Sequence, residues 1–247
     1  MIKYKVSIEY NGINFSGWQK QPDVTTVQQT IEEALLNLEQ GNISVTCAGR
    51  TDAGVHAIEQ VAHFEMPKEF DTFTLQQALN FYLKGKGIAI FNVQKLPEGS
   101  PFHARFSAQS REYIYKILNR KHPPTFEDFQ HWWVPVDLDL DLMIDASKVL
   151  LGTHDFSSFR AQGCQARSPI RTIDEINFTK EGDVISMHIK APSFLYHQVR
   201  NIIGTLYLIG RKKMTKEELI KALDAKDRAS AGITAPPFGL YFYKVNY

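Results

Sequence analysis

Two hydrophobic periods, one of two residues and one of about 3.6, alternate along this chain in an order that leaves few architectures open. Lys3 to Tyr10 alternates apolar and polar residues as a strand does. Thr26-Val27-Gln28-Gln29 reads as a capping box, and Val27, Ile31, Ala34, Leu35 and Leu38 then follow helical spacing until Gly41 offers a stop. Ile43, Val45 and Cys47 alternate against Ser44, Thr46 and Ala48, and Gln60 to Phe64 resumes an extended pattern. Phe73 to Tyr82 reads as a second helix and Gly87 to Val93 as a buried strand. Strand, helix, strand, strand, helix, strand is the order of a ferredoxin-like unit, with its helices on one face of the sheet.

After Pro97-Glu98-Gly99-Ser100-Pro101 the pattern begins again. Arg111 to Leu118 is a strand candidate, Asp139 to Leu150 a helix, Ile170 to Phe178 and Val184 to Ile189 paired strands, and Phe194 to Ile209 a long helix. A short helix at Lys216 to Leu223 and a closing strand at Leu240 to Val245 follow. The expected division is therefore a ferredoxin-like domain over 1–104 and a decorated version of it over 105–247. A chain of 247 residues that is 43% hydrophobic can bury cores for both.

Composition narrows the class of protein. Apolar runs stay short of the ~18 residues that a membrane span needs, and Met1-Ile2-Lys3-Tyr4-Lys5 opens directly into strand alternation. Neither a membrane segment nor a signal peptide is expected, and the location expected is cytoplasmic. Cys47 and Cys164 are far apart and without CxxC spacing, so reduced thiols are expected rather than a disulfide or a zinc site. The eight histidines show no ligand spacing, and no metal or organic cofactor is expected. The net charge of +1 divides unevenly, with −3 over 1–104 and +4 over the remainder. Three basic clusters carry the difference: Arg105, Arg111, Lys116, Arg120 and Lys121; Arg160, Arg167 and Arg171; and Arg211, Lys212, Lys213 and Lys216. Such clusters suit a phosphate backbone or are simply a solvated surface.

Three segments carry candidate chemistry. Cys47-Ala48-Gly49-Arg50-Thr51-Asp52-Ala53-Gly54-Val55-His56-Ala57 places one acid in a glycine-bracketed loop at a strand end. This is either a rim that presents a carboxylate or a turn in which Asp and Thr bond their own backbone. Along the helix near Phe194, the residues Leu195, Val199, Ile202, Ile203, Leu206 and Ile209 form a core stripe with Arg200 at its edge. A partly buried guanidinium needs a carboxylate or phosphate; otherwise it reaches past the stripe to water. Tyr196 and Gly204, a turn to either side, leave room above it in this reading. In Ser110-Arg111-Glu112-Tyr113-Ile114-Tyr115, period two places Arg111, Tyr113 and Tyr115 on one face. An aromatic there either stacks on a base or fills the core.

Together these segments resemble the TruA family of tRNA pseudouridine synthases. The resemblance rests on Gly49-Arg50-Thr51-Asp52-Ala53-Gly54-Val55-His56, on Arg111-Glu112-Tyr113, and on Phe194 through Gly204 with its Arg200. It extends to Tyr10, to Phe15-Ser16-Gly17-Trp18-Gln19 and to Gly239-Leu240-Tyr241, and so spans nearly the whole chain. One departure is Phe242, where the family more often has leucine after the tyrosine. The resemblance implies an α+β protein of two ferredoxin-like, RRM-like domains, whose largely antiparallel sheets form one extended sheet around a central active-site cleft. It implies a homodimer that binds the anticodon arm of tRNA and isomerises uridines 38, 39 and 40 without a cofactor, with no membrane and no other protein partner implied. Asp52 takes the essential catalytic place, Arg200 pairs with it, and Tyr113 contacts the target uracil. Arg50, Arg111, His56 and Leu240 are expected beside the substrate, with Tyr113 and Leu240 as pocket walls. An ionised carboxylate near sugar and base serves as nucleophile toward C1′ of the ribose or C6 of the base, and both remain open. The competing readings are the same chemistry on a different RNA, an RNA-binding or tRNA-folding protein without catalysis, and an N-glycosidase that releases uracil. The N-glycosidase would ordinarily require a paired carboxyl group.

Overall fold

The computed structural model describes residues 1–39, 41–126 and 129–247. Two compact units emerge: Met1–Gln109 together with Tyr241–Tyr247, and Ser110–Leu240. In the first unit, β1 (Ile2–Tyr10), α1 (Val27–Leu36), β2 (Thr46–Cys47), β3 (His56–Met66), α2 (Thr72–Leu83) and β4 (Ile88–Lys95) follow the expected order. β1 pairs antiparallel with β3 on one side and β4 on the other. Tyr4, Val6, Ile8 and Tyr10 point to one side of β1 and are buried, as period two requires. They join Val27, Ile31, Ala34 and Leu35 of α1 and Leu75, Leu79 and Leu83 of α2 in the core.

Local chemistry sets the element ends. The Thr26 side chain accepts from the Gln29 amide at 3.4 Å, which starts α1. Only half of the expected capping box forms, because the Gln29 side chain turns outward to Glu33 at 2.9 Å. The helix stops at Leu36, so Leu38 lies beyond it, half-buried. Ile43, Val45 and Cys47 are buried in alternation as expected, yet the pairing with β3 covers Thr46 and Cys47 and continues as the Ala48 amide donates to the Val61 carbonyl at 2.8 Å. Over Ile43 to Val45, alternation reports burial rather than a ladder.

β3 has β1 along one edge, and the other edge is shared. β2 covers Ala62 and His63, while the closing strand Leu240–Asn246 runs parallel to β3 at His56 and Ala57. The closing strand thus belongs with the first unit, unlike the expected 105–247 division. Its pairing with β3 is reinforced when the Gln109 amide donates to the Asn246 carbonyl at 2.8 Å and the Tyr247 hydroxyl to the Ala104 carbonyl at 2.9 Å.

The second unit contains β5 (Ser110–Asn119), β6 (Trp132–Val134), α3 (Leu140–Ser147), β7 (Gly152–Asp155), β8 (Ile170–Ile173), β9 (Glu175–Glu181), β10 (Val184–Ala191), α4 (Gln198–Gly210) and α5 (Lys216–Ala225). β10 lies antiparallel between β5 and β9, and β6 runs parallel to the end of β5. The strand expected over Ile170 to Phe178 is two strands. β8 pairs with β7 in a separate ribbon, and after Asp174 β9 joins β10. α4 begins at Gln198 rather than Phe194, because His197 has a left-handed φ of 60°, which a right-handed helix cannot continue. Among the described residues, no helix is long and apolar enough to cross a membrane.

Candidate active site

Asp52 lies half-buried in the loop between β2 and β3, and the chain around it is fixed from two sides. From β3, the fully buried Gln60 side chain donates to the Gly49 carbonyl at 2.7 Å. From the segment after β1, the Trp18 amide donates to the Thr51 carbonyl at 3.0 Å, and the Gly54 amide donates to the Phe15 carbonyl at 3.2 Å. The Thr51 and Tyr10 hydroxyls meet at 2.7 Å beneath the loop. Within the loop, the Val55 amide donates to the Asp52 carbonyl at 3.1 Å, a turn that Gly54 permits with its φ of 78°.

Backbone meets backbone here, so side chains are excluded at two places. A Cβ on Gly12 would stand 2.0 Å from the Val55 carbonyl oxygen, and one on Gly17 would stand 2.7 Å from the Thr51 oxygen. Gly17 also has a φ of 92°, which favours glycine. The Phe15-to-Gln19 motif therefore has a mechanical role, clamping the strip that carries the acid. Gln60 and Gly12 hold this loop as well, and the motif reading missed both. A glutamine in the buried interior of a strand was the available signal for Gln60.

The other expected residues of the first unit divide into support and exposure. His56 is 3% exposed; its Nδ1 accepts from the Gly12 amide at 3.0 Å, and its ring stacks on Tyr241 at 4.7 Å. These contacts make His56 a support for the start of β3. Arg50 is exposed beside the loop. Cys47 is buried at the loop's entry, and burial pushes its thiol up to about 12 against the opposing charges of Arg50 and Arg105.

In the second unit, Arg111, Tyr113 and Arg200 are each half-buried. The Arg111 guanidinium donates to the Pro192 carbonyl at 2.7 Å, and Tyr113 meets Phe194 edge-on at 5.1 Å. Both contacts fix the segment that leads into α4. Tyr115, on the same face as Tyr113, is core: fully buried, its hydroxyl donates to the Pro236 carbonyl at 2.8 Å. Burial raises the Tyr115 hydroxyl well above the usual tyrosine range, against the lowering charge of Arg200. The next turn is packed against it, since a Cβ on Gly239 would stand 2.8 Å from the Tyr115 ring. Leu240, 5% exposed, follows directly.

Arg200 sits at the edge of the expected stripe, whose six apolar residues are all buried. Its Nε donates to the Ala235 carbonyl at 2.8 Å, and the Ala235 amide donates back to the Arg200 carbonyl at 3.1 Å. The space expected beside Gly204 is occupied: a Cβ there would lie 1.8 Å from the Ile233 carbonyl oxygen. Gly204 exists for this close crossing of chain over helix, and Arg200 is oriented by the crossing segment. Each unit thus presents a fixed charged group, a carboxylate on a clamped loop and a guanidinium whose Nε donates to the Ala235 carbonyl. Among the described residues, no three His, Cys, Asp or Glu side chains gather as metal ligands.

The family model described as tRNA pseudouridine synthase matches residues 6–107 and 146–247, which include the Asp52 loop and α4. A tRNA pseudouridine synthase A of Wolbachia pipientis is 47% identical over 247 residues, covering all of both chains. That of Ehrlichia chaffeensis is also 47% identical over the full length of both. That of Rhodospirillum rubrum is 46% identical, covering all of this chain and 88% of the other. A match across both units, with the clamped carboxylate inside it, leads to one conclusion: the chain belongs to the tRNA pseudouridine synthase family.

Proposed function

We propose that this protein isomerises uridine to pseudouridine at positions 38, 39 and 40 of the tRNA anticodon arm, in the cytoplasm and as a homodimer, with Asp52 as the essential catalyst. The observation that carries the reading is the Asp52 loop, where a half-buried carboxylate stands on backbone fixed by Gln60, Phe15 and Trp18. Such fixation suits a group that must meet one atom of a bound nucleotide. The reaction breaks the N1–C1′ bond and forms C5–C1′; the product loses the proton at C5 and gains one at N1, so mass is conserved. Asp52 bonds transiently to C1′ or C6 and is expelled when the new bond forms.

Arg200 supplies the counter-charge to Asp52, held in position by the Ala235 carbonyl. Tyr113 and Leu240 wall the uracil, and Tyr113 assists transfer of the C5 proton. Arg50 holds the displaced nucleotide out of its stack, and Arg111 acts on the substrate through the segment it braces. The test is Asp52→Asn. It should keep tRNA binding within several-fold and form no pseudouridine detectable by carbodiimide labelling, while Arg200→Leu should also lose turnover. Continued product from Asp52→Asn would sink the assignment, and release of free uracil by the unaltered protein would favour an N-glycosidase.

A further inference from the structure

The segment over 100–107 carries side chains that the reaction does not use. It is tied to the sheet: the Lys3 Nζ donates to the Ser100 carbonyl at 3.1 Å, and the Ala104 amide donates to His63 Nδ1 at 3.2 Å. The turn at its end is closed on itself. His103 Nδ1 accepts from the amides of Arg105 at 3.2 Å and Phe106 at 3.3 Å. The Ser107 amide donates to the His103 carbonyl at 2.9 Å, and the His103 amide donates to the Ser107 hydroxyl at 3.0 Å. Phe106 therefore stands on a braced turn with 78% of its surface exposed. Four hydrogen bonds thus fix the turn from which this apolar ring meets water.

Ring contacts and charge indicate what the ring is suited to bind. His63 lies 4.8 Å from His103, and His103 lies 4.4 Å from Phe106 at an interplanar angle of 31°, so Phe106 is the outer end of a run of rings. The Arg105 guanidinium is 5.7 Å from the Phe106 centroid. Further in, Lys5 Nζ lies 5.2 Å from the Phe102 ring and 4.5 Å from the Tyr247 ring. No acid occurs between Glu98 and Glu112. The site also flanks the catalytic loop within the same unit. His63 pairs with Thr46 of β2, and the charge of Arg105 reaches Cys47, five residues before Asp52.

We propose that Phe106 and His103 form a stacking platform for an unpaired tRNA nucleotide other than the reacting uridine, with Arg105 on its phosphate. An aromatic face beside cations matches single-stranded RNA, since every base offers a π-face and every nucleotide an anion. This inference rests on the tRNA substrate proposed above and adds a second contact to it.

The test compares Phe106→Ala, Phe106→Leu and Phe106→Trp in full-length protein with unmodified tRNA transcript. Folding is checked by circular dichroism and thermal melting, and assembly by sedimentation. The Ala and Leu variants should raise KM for tRNA about tenfold with kcat within about twofold, and Trp should restore KM. The same ranking should hold for tRNA Kd in an Asp52→Asn background, which reads the platform even if no pseudouridine forms. Unchanged Kd in Phe106→Ala, or Leu performing as well as Trp, would overturn the proposal. A change in sedimentation with unaltered tRNA Kd would overturn it in favour of a contact between copies. Absence of pseudouridine from the unaltered protein would instead count against the proposed reaction, and the Kd comparison would then decide the platform by itself.

Discussion

At the scale of single residues, the two cysteines show how surroundings rather than type set reactivity. Burial pushes the Cys47 thiol up to about 12, so at neutral pH it is protonated and shielded. Cys164 is half-exposed; burial opposes its ionisation, but hydrogen bonds from the Tyr196 and Ala166 backbone and from Arg160 outweigh it, and its pKa is lowered. Iodoacetamide should therefore alkylate Cys164 well before Cys47 in the native protein, as peptide mass mapping would reveal. Equal labelling would show that the strand entering the Asp52 loop opens readily. The loop that carries Asp52 was legible in the sequence, because Gly49 and Gly54 beside a strand end are a short-range pattern. Its clamp was not, since Gly12 and Gln60 gain meaning only when the chain folds back to within contact of Val55 and Gly49.

At the scale of elements, α4 sets a local preference against a tertiary constraint. Replacing Gly204 by alanine in a helix interior should by propensity stabilise the helix by about 1 kcal/mol. The Ile233 carbonyl oxygen, 1.8 Å from the new Cβ, reverses that sign. Gly204→Ala should lower the unfolding free energy by about 3 kcal/mol through overpacking, readable as a lower midpoint in urea with an unchanged m-value. It should also displace Ala235, and with it the bond that orients Arg200. The apolar stripe of α4 was legible from spacing, but the crossing segment was not. Similarly, Ile170 to Phe178 reads as one apolar strand, and only the partners of each half, β7 and β10, separate it at Asp174.

At the scale of the whole molecule, charge in the sequence is not charge available to a polyanion. Lys212 pairs with Asp139 at 3.2 Å and Lys216 with Asp145 at 2.8 Å, so the third basic cluster is partly neutralised by the N-cap and last turn of α3. Arg167 is exposed in the loop over 160–169 and makes no ion pair among the described residues. Arg167→Gln should lower the slope of log Kd for tRNA against log salt by about 0.7–0.9, the value of one phosphate contact. Lys212→Gln should leave the slope nearly unchanged, and titrating binding against potassium chloride compares the two. What the sequence by itself determined is the order of strands and helices in the first unit, the main strands and long helix of the second, and the buried stripes of α1 and α4. These follow from periodicity and local backbone preference, which act over a few neighbouring positions. Only the tertiary structure decided which unit the closing strand joins, which lysines are already paired, and why Gly12, Gly17, Gly204 and Gly239 have no side chain. Those outcomes depend on contacts between segments distant in the chain, where close backbone approach and charge pairing leave no trace in local sequence.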